Sequence, residues 1–215
     1  TVSDNAPHEK HTSVSDRYVI HVISMAAYLG QVRQRVHAED LIAESKAVID
    51  ALASLEKERA KLQAALAKIE AAVNAKGGQA DTQQRLIDDV TEQADAFAKK
   101  QHELAGKMKQ RAGDPAVFDA EKAWLEMLAQ LADGLAQDAN AVKQLTDARQ
   151  QRRAEGHVSD ATTTKYLKQM TQQLGKQKNT IGNGTQQAQN ARDDFGRIAL
   201  ADEILAQVKR VEQVI

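Results

Sequence analysis

Residues 41–73 read LIAESKAVIDALASLEKERAKLQAALAKIEAAV and contain no proline and no glycine. Mostly apolar residues recur there at alternating spacings of four and three. The positions are Leu41, Ser45, Val48, Leu52, Leu55, Arg59, Leu62, Leu66, Ile69 and Val73. A repeat averaging 3.5 residues keeps one stripe of a helix turned towards a neighbouring helix. We call such a stripe a seam, and this one predicts a long coiled-coil helix.

Two positions of this seam hold polar residues, Ser45 and Arg59. Polar groups in a seam lower stability, but they can fix the register of the helices and the choice of partner. We therefore select Ser45 and Arg59 as candidate determinants of coiled-coil register.

The composition of the whole chain agrees with long helices. Of the 215 residues, 42% are hydrophobic but only 3% are aromatic, and there are two prolines. Such a chain can bury a thin apolar core but lacks the aromatic content usual in sheets. The predicted fold class is all-α, an elongated helical bundle with long antiparallel coiled-coil helices.

Charge and cysteine content exclude several classes of function. The 29 basic and 30 acidic residues are interleaved and give a net charge of −1, which argues against nucleic acid as a partner. Without cysteine, disulfides and thiolate metal sites are excluded. The longest apolar stretch, residues 18–29, is shorter than the roughly 20 residues of a membrane span. This stretch can touch a membrane surface, but we do not expect it to span the membrane.

Glycine and proline divide the chain into four segments. We predict a flexible arm over 1–15, a long coiled-coil helix over 16–76, a central helical hairpin over 77–160 and a C-terminal helical region over 161–215. Gly182 and Gly184 predict a hinge near 182–184, since glycine in a helix costs about 1 kcal/mol relative to alanine.

Both ends of the helical region are broadly apolar, and together they form the predicted assembly interface. A helix with apolar residues over a wide arc has to be covered over that arc. The interface residues are Tyr18, Val22, Met25, Leu29, Val32, Ile198, Leu200, Ile204, Leu205, Val208, Val211 and Ile215.

No set of residues in the sequence predicts catalysis, a metal site or a cofactor. His8 and His11 are spaced as metal ligands on a helix but have no third ligand nearby. Adjacent carboxylates such as Asp193 and Asp194 point to different faces of a helix and do not converge on a substrate. The basic residues 149–153 are interpreted as a solvated helix end. We expect a protein that is not an enzyme.

The layout resembles the extracellular filament and needle-tip proteins of bacterial type III secretion. The similar stretches are residues 28–73 and 162–215, including the run QQAQNAR at 186–192. The resemblance implies a secreted virulence protein whose terminal helices pack together and self-assemble into a filament or cap a secretion needle. The regular helical pattern of 82–155 departs from the looser insert of many members.

Two other functions stay open at this point. One is a coiled-coil adaptor or scaffold, in the cytoplasm for example, that binds another helical protein. The other is a membrane-active component of a helical-bundle toxin, with residues 18–29 touching the lipid. A filament or tip protein is expected to associate with itself. An adaptor is expected to bind one other protein, and a toxin component is expected to bind liposomes.

Overall fold

The structure is a computed structural model of the chain and describes residues 2–3, 12–13, 24–74, 80–157 and 159–212. Four helices make up almost all of this part: α1 (Met25–Asn74), α2 (Ala80–Ala112), α3 (Asp119–Ala154) and α4 (Asp160–Glu212). Two short strands, β1 (Val2–Ser3) and β2 (Thr12–Ser13), pair antiparallel with Val2 opposite Ser13. The predicted all-α fold class is confirmed.

The predicted segment boundaries relate to the helices as follows. Helix α1 begins at Met25, and residues 16–23 of the predicted first helix lie outside the described residues. The same holds for most of the predicted flexible arm, 1–15, where only the two short strands are described. Helices α2 and α3 correspond to the predicted central hairpin.

Contacts between side chains show that the four helices run up, down, up and down. Lys100 of α2 bonds Glu58 of α1 at 2.6 Å, and Arg111 further along α2 bonds Glu44 earlier in α1 at 3.1 Å. Lys109 of α2 pairs in the same antiparallel sense with Asp133 of α3. Helix α4 packs antiparallel against both α3 and α1, which closes the bundle.

The turn between α3 and α4 is formed by local hydrogen bonds. Gly156 has a φ of +71°, and the amide of His157 donates to the carbonyl of Arg152, the arrangement of a Schellman cap. Ser159 and Thr162 then exchange hydrogen bonds across the first turn of α4. These caps stop one helix and start the next within a few residues.

The core lies along the bundle axis and follows the predicted seam of α1. Leu52 and Leu66 are completely buried, and the two polar seam positions, Ser45 and Arg59, are buried with them. In α2, Leu86 is 43% exposed, and its neighbour Ile87 lies in the core. The buried face of α2 continues through alanines and Gln101. Because these residues are not large and apolar, their inward positions do not stand out in the sequence.

Helix α4 runs without interruption through Gly182 and Gly184, so the predicted break is not seen. Both glycines lie inside the helix, and neither has a positive φ. Gly184 is buried at the crossing with α3, where an added Cβ would stand 2.6 Å from Cδ1 of Leu131. Close packing of two helices explains this glycine better than bending does.

Candidate interaction surface

The last turns of α4 extend beyond the start of α3. Trp124, near the start of α3, packs edge-on against Phe195 with ring centroids 6.1 Å apart. Phe195 is 1% exposed and is the last fully buried residue that the structure describes on α4. From there the helix continues to Glu212. The segment past Phe195 is therefore no longer covered by the full bundle.

In this segment most of the large apolar side chains with a described position are exposed. Ile198, Ala199 and Asp202 are partly covered, whereas the intervening residues are exposed. The exposed apolar residues are Leu200 (56%), Ile204 (53%), Leu205 (39%) and Val208 (49%). We call these four residues the outer stripe.

The outer stripe arises because the amphipathic pattern of α4 changes sides. The inward positions are Ile181, Ala188 and Phe195, and the same spacing leads on to Ala199 and Asp202. Past Ile198, the partly covered positions hold the small Ala199 and the charged Asp202, and one carboxylate oxygen of Asp202 is buried without a hydrogen-bond partner. An exposed apolar stripe of this kind is a candidate surface for contact with another molecule.

The predicted interface residues fall into three groups. The outer stripe and the partly buried Ile198 have described side chains. Met25, Leu29, Val32 and Val211 lie on α1 or α4, but their side chains lie outside the described part. Tyr18, Val22 and Ile215 lie outside the described residues altogether. The description of the interface therefore rests on α4.

A shallow groove of about 240 Å³ lies next to this segment, between α3 and α4. Its walls include Ala123, Met127 and Ala191, with Trp124 and Phe195 at its base. The indole N–H of Trp124 is buried and has no hydrogen-bond partner. The sequence identified Trp124 as core but did not reveal the groove.

Arg59 links α1 to α4 through a hydrogen bond. Its guanidinium donates to both carboxylate oxygens of Glu56 at 2.7 Å and to the backbone carbonyl of Leu174 at 3.3 Å. The hydrogen bond from Arg59 lowers the pKa of the Glu56 carboxyl. The hydroxyl of Ser45 donates to the carbonyl of Ile42 on its own helix. The role of Ser45 and Arg59 in setting register stays a prediction.

The basic run at 149–153 is not simply a solvated helix end. Arg149 is 4% exposed, donates to Thr163 and to Gln84, and lies 5.8 Å from the ring centroid of Tyr166. Burial lowers the pKa of its guanidinium. The prediction was wrong for Arg149, because a sequence alone does not reveal which arginine of a cluster turns inward.

Other polar groups in the core show no catalytic arrangement. Tyr166 and Thr91 share a hydrogen bond of 3.0 Å, and burial raises the pKa of the Tyr166 hydroxyl. Burial likewise raises the pKa of Asp138. Gln101 is completely buried, with neither amide atom partnered. These groups are dispersed along the bundle.

The described residues offer neither a cluster of metal ligands nor a membrane-spanning helix. Within them, no cluster of three or more histidine, aspartate or glutamate side chains could hold a metal ion. None of the four helices, as far as they are described, contains a stretch long and apolar enough to cross a membrane.

Comparison of the chain with protein-family models, curated proteins and solved structures gave no match. The proposal for its function therefore rests on the sequence and structure of the chain.

Proposed function

We propose that this protein is a non-enzymatic interaction protein that associates with other helical chains through the outer stripe of α4. The observation that carries the proposal is the exposure of Leu200, Ile204, Leu205 and Val208 at the end of α4, where the covered positions past Ile198 are Ala199 and Asp202. Leaving four large apolar side chains in water is unfavourable by roughly 25 cal/mol for each Å² that a partner could cover.

The more specific form of the proposal is self-assembly in a secreted bacterial structure, as a filament or a needle tip. It is supported by the resemblance of the two terminal regions to such proteins and by the position of the outer stripe at one end of a long bundle. A bundle with an apolar end has the shape required of a subunit that adds to others end to end.

The proposal is tested by comparing the wild-type chain with the variant Ile204→Lys, using light scattering for mass and negative-stain electron microscopy for form. We expect wild type to form particles heavier than one chain. Ile204→Lys should be a monomer, because a charge would be buried without a partner in the contact. Circular dichroism should be unchanged, since Ile204 is exposed in the single chain.

A matched control is Val117→Lys, which places the same charge on an equally exposed apolar residue in the α2–α3 turn. It should assemble like the wild type. Removal of residues 198–215 should also abolish assembly while most of the helicity is retained. Unchanged assembly of Ile204→Lys would refute the proposed interface, and a monomeric wild type would favour an adaptor that awaits a different protein.

A further inference from the structure

We infer that the bundle binds a small inorganic oxyanion, of the size of phosphate or sulfate, between Arg149 and Arg152 near the turn from α3 to α4. The site lies at the start of α4, whereas the outer stripe lies near its end, so the inference does not depend on the proposed function. Three features support it: a buried charge without a carboxylate partner, a cleft without acidic residues, and an exposed arginine beside that cleft.

The guanidinium of Arg149 carries a buried charge. The residue is 4% exposed, and its hydrogen bonds go to the uncharged oxygens of Thr163 and Gln84, at 3.1 and 3.0 Å. Its Nε–H is buried and has no hydrogen-bond partner. Arginine cannot lose its proton to relieve the cost of burial, so the charge stays. The ring of Tyr166, 5.8 Å from the guanidinium, gives only a weak attraction.

The acidic side chain that attracts Arg149 is already bound by other groups. The carboxylate of Asp88 pairs with Arg153 at 2.7 Å and accepts a hydrogen bond from Gln84 at 2.8 Å. Two arginines therefore share one carboxylate, which leaves one positive charge without a counter-charge. Burial lowers the pKa of the Arg149 guanidinium, because these surroundings compensate its charge only in part.

A cleft of about 50 Å³ lies beside Arg149, between α3 and α4. Its wall includes Arg149, Arg152, Thr162 and Gln169 and, among the described residues, no acidic one. A second cleft of the same size, on the α2 side of Arg149, has two acidic residues in its wall and so disfavours an anion. A volume of this size admits a few heavy atoms. It fits one tetrahedral oxyanion but not a nucleotide.

Arg152 provides a second donor at the same cleft. Its side chain is exposed, and its guanidinium forms no ion pair with another described residue. Guanidinium groups donate charge-assisted hydrogen bonds that match the oxygens of phosphate and sulfate. Thr162 is the third residue of the 53-residue α4, where the helix dipole also favours negative charge. An oxyanion in the cleft would supply the counter-charge that Arg149 lacks.

The Nε–H groups of the two arginines report binding directly in nitrogen–proton NMR spectra. The full-length chain is titrated with sodium phosphate at neutral pH, with sodium chloride added to keep the ionic strength constant. We expect the Nε–H signals of Arg149 and Arg152 to shift and then to reach a plateau. The general stabilisation of proteins by phosphate and sulfate acts through exclusion from the surface and produces no such plateau.

Arg152→Gln removes one of the two charges and should leave the fold intact, because the side chain is exposed. The affinity for phosphate should fall about tenfold or more, the effect of losing a charge-assisted hydrogen bond. The matched control is Arg192→Gln, which removes an exposed arginine about 45 Å further along α4 than Thr162. It should bind phosphate like wild type. Circular dichroism checks that both variants keep their helices.

Shifts without a plateau, or equal phosphate affinity of wild type and Arg152→Gln, would overturn the inference. Glycerol phosphate, titrated in the same way, distinguishes a free anion from the phosphate group of a larger molecule. The small cleft predicts weaker binding of glycerol phosphate than of inorganic phosphate. Equal or tighter binding would contradict the assignment to a free inorganic anion. None of these outcomes bears on the outer stripe.

Discussion

At the scale of single residues, Arg59 shows how a polar group is accommodated in a narrow core. Its charge is balanced by Glu56, whose side chain is 37% exposed, and its remaining donors reach Gln63 and the carbonyl of Leu174. Burying an ion pair costs desolvation that its attraction repays only in part. The contact with Leu174 nevertheless favours one axial position of α4 against α1.

Two substitutions separate the charge of Arg59 from its packing. Arg59→Ala should lower the free energy of unfolding by about 2 kcal/mol or more, because it removes the alkyl stem and leaves a cavity. Arg59→Met keeps an unbranched stem and should stay within about 1 kcal/mol of wild type. Urea unfolding followed by circular dichroism measures both, with the exposed Lys57→Ala as the control.

The pH dependence gives a second readout of the same pair. Because the folded chain lowers the pKa of Glu56, the contribution of the pair is present at neutral pH and is lost as the pH falls below about 4. The difference between wild type and Arg59→Met should shift in that range. An equal loss in Arg59→Met and Arg59→Ala at pH 7 would mean that the charge, not the stem, provides the stabilisation.

At the scale of elements, α4 carries two glycines separated by one residue, Gly182 and Gly184, and their surroundings differ. Gly182 is exposed, and an added Cβ there would meet nothing within 4 Å. Gly184 faces Leu131 of α3, whose Cδ atoms would be 2.6 and 3.0 Å from an added Cβ. The first glycine weakens the helix without any packing reason in the described residues, and the second permits close contact with α3.

Alanine substitutions should therefore have opposite effects at the two positions. Gly182→Ala should raise the free energy of unfolding by about 1 kcal/mol, the difference in helix propensity between the residues. Gly184→Ala should lower it by about 1 kcal/mol, because overpacking against Leu131 exceeds the gain in propensity. Thermal and urea unfolding of the two variants test this. A stabilised Gly184→Ala would show that α3 can move aside without cost.

The accuracy of the sequence-based predictions varied with the kind of residue at the inward positions. In α1 large apolar residues occupy the seam at regular spacing, so the periodicity alone identified the buried face. In α2 the inward positions include Ala94, Gln101 and Ala105, which carry little hydrophobic signal, while the large apolar Leu86 is exposed, so the pattern does not identify the buried face. Arg149 was misassigned because its partners, Gln84 and Thr163, are distant in sequence.

The outer stripe was likewise predictable only in part, because the sequence shows which residues are apolar but not which side of the helix they occupy. The apolar character of residues 198–208 is plain in the sequence, but the side of α4 that faces the bundle is not. That side depends on where α3 begins and on the register set further back, near Phe195. Only the packed helices show that Leu200 and Ile204 point outward while Asp202 is partly covered.

At the scale of the whole molecule, the bundle is a rod. The 53 residues of α4 make it about 80 Å long. A compact chain of the same size would have a radius of gyration of about 17 Å, and the rod should clearly exceed that value. Its two ends also differ, because the outer stripe lies at one of them.

Small-angle X-ray scattering over a range of concentrations should show this shape. We expect a maximum dimension of about 80 Å for the single chain, and a clearly longer particle when bundles join end to end through their outer stripes. The longer particle should disappear on dilution and in Ile204→Lys. A particle with the mass of two chains but a length near 80 Å would indicate bundles lying side by side.

The order of the helices along the chain also bears on how the protein is made. Contacts between α2 and α3 span short loops, as in Lys109 with Asp133, whereas the contact of Arg59 with Leu174 joins residues 115 positions apart. Local contacts form earlier in folding, and a chain leaving the ribosome folds from its N-terminal side. The outer stripe follows every segment of the bundle in the sequence. A nascent chain therefore does not expose the outer stripe, the contact surface that we propose, until the segments of the bundle have been synthesised.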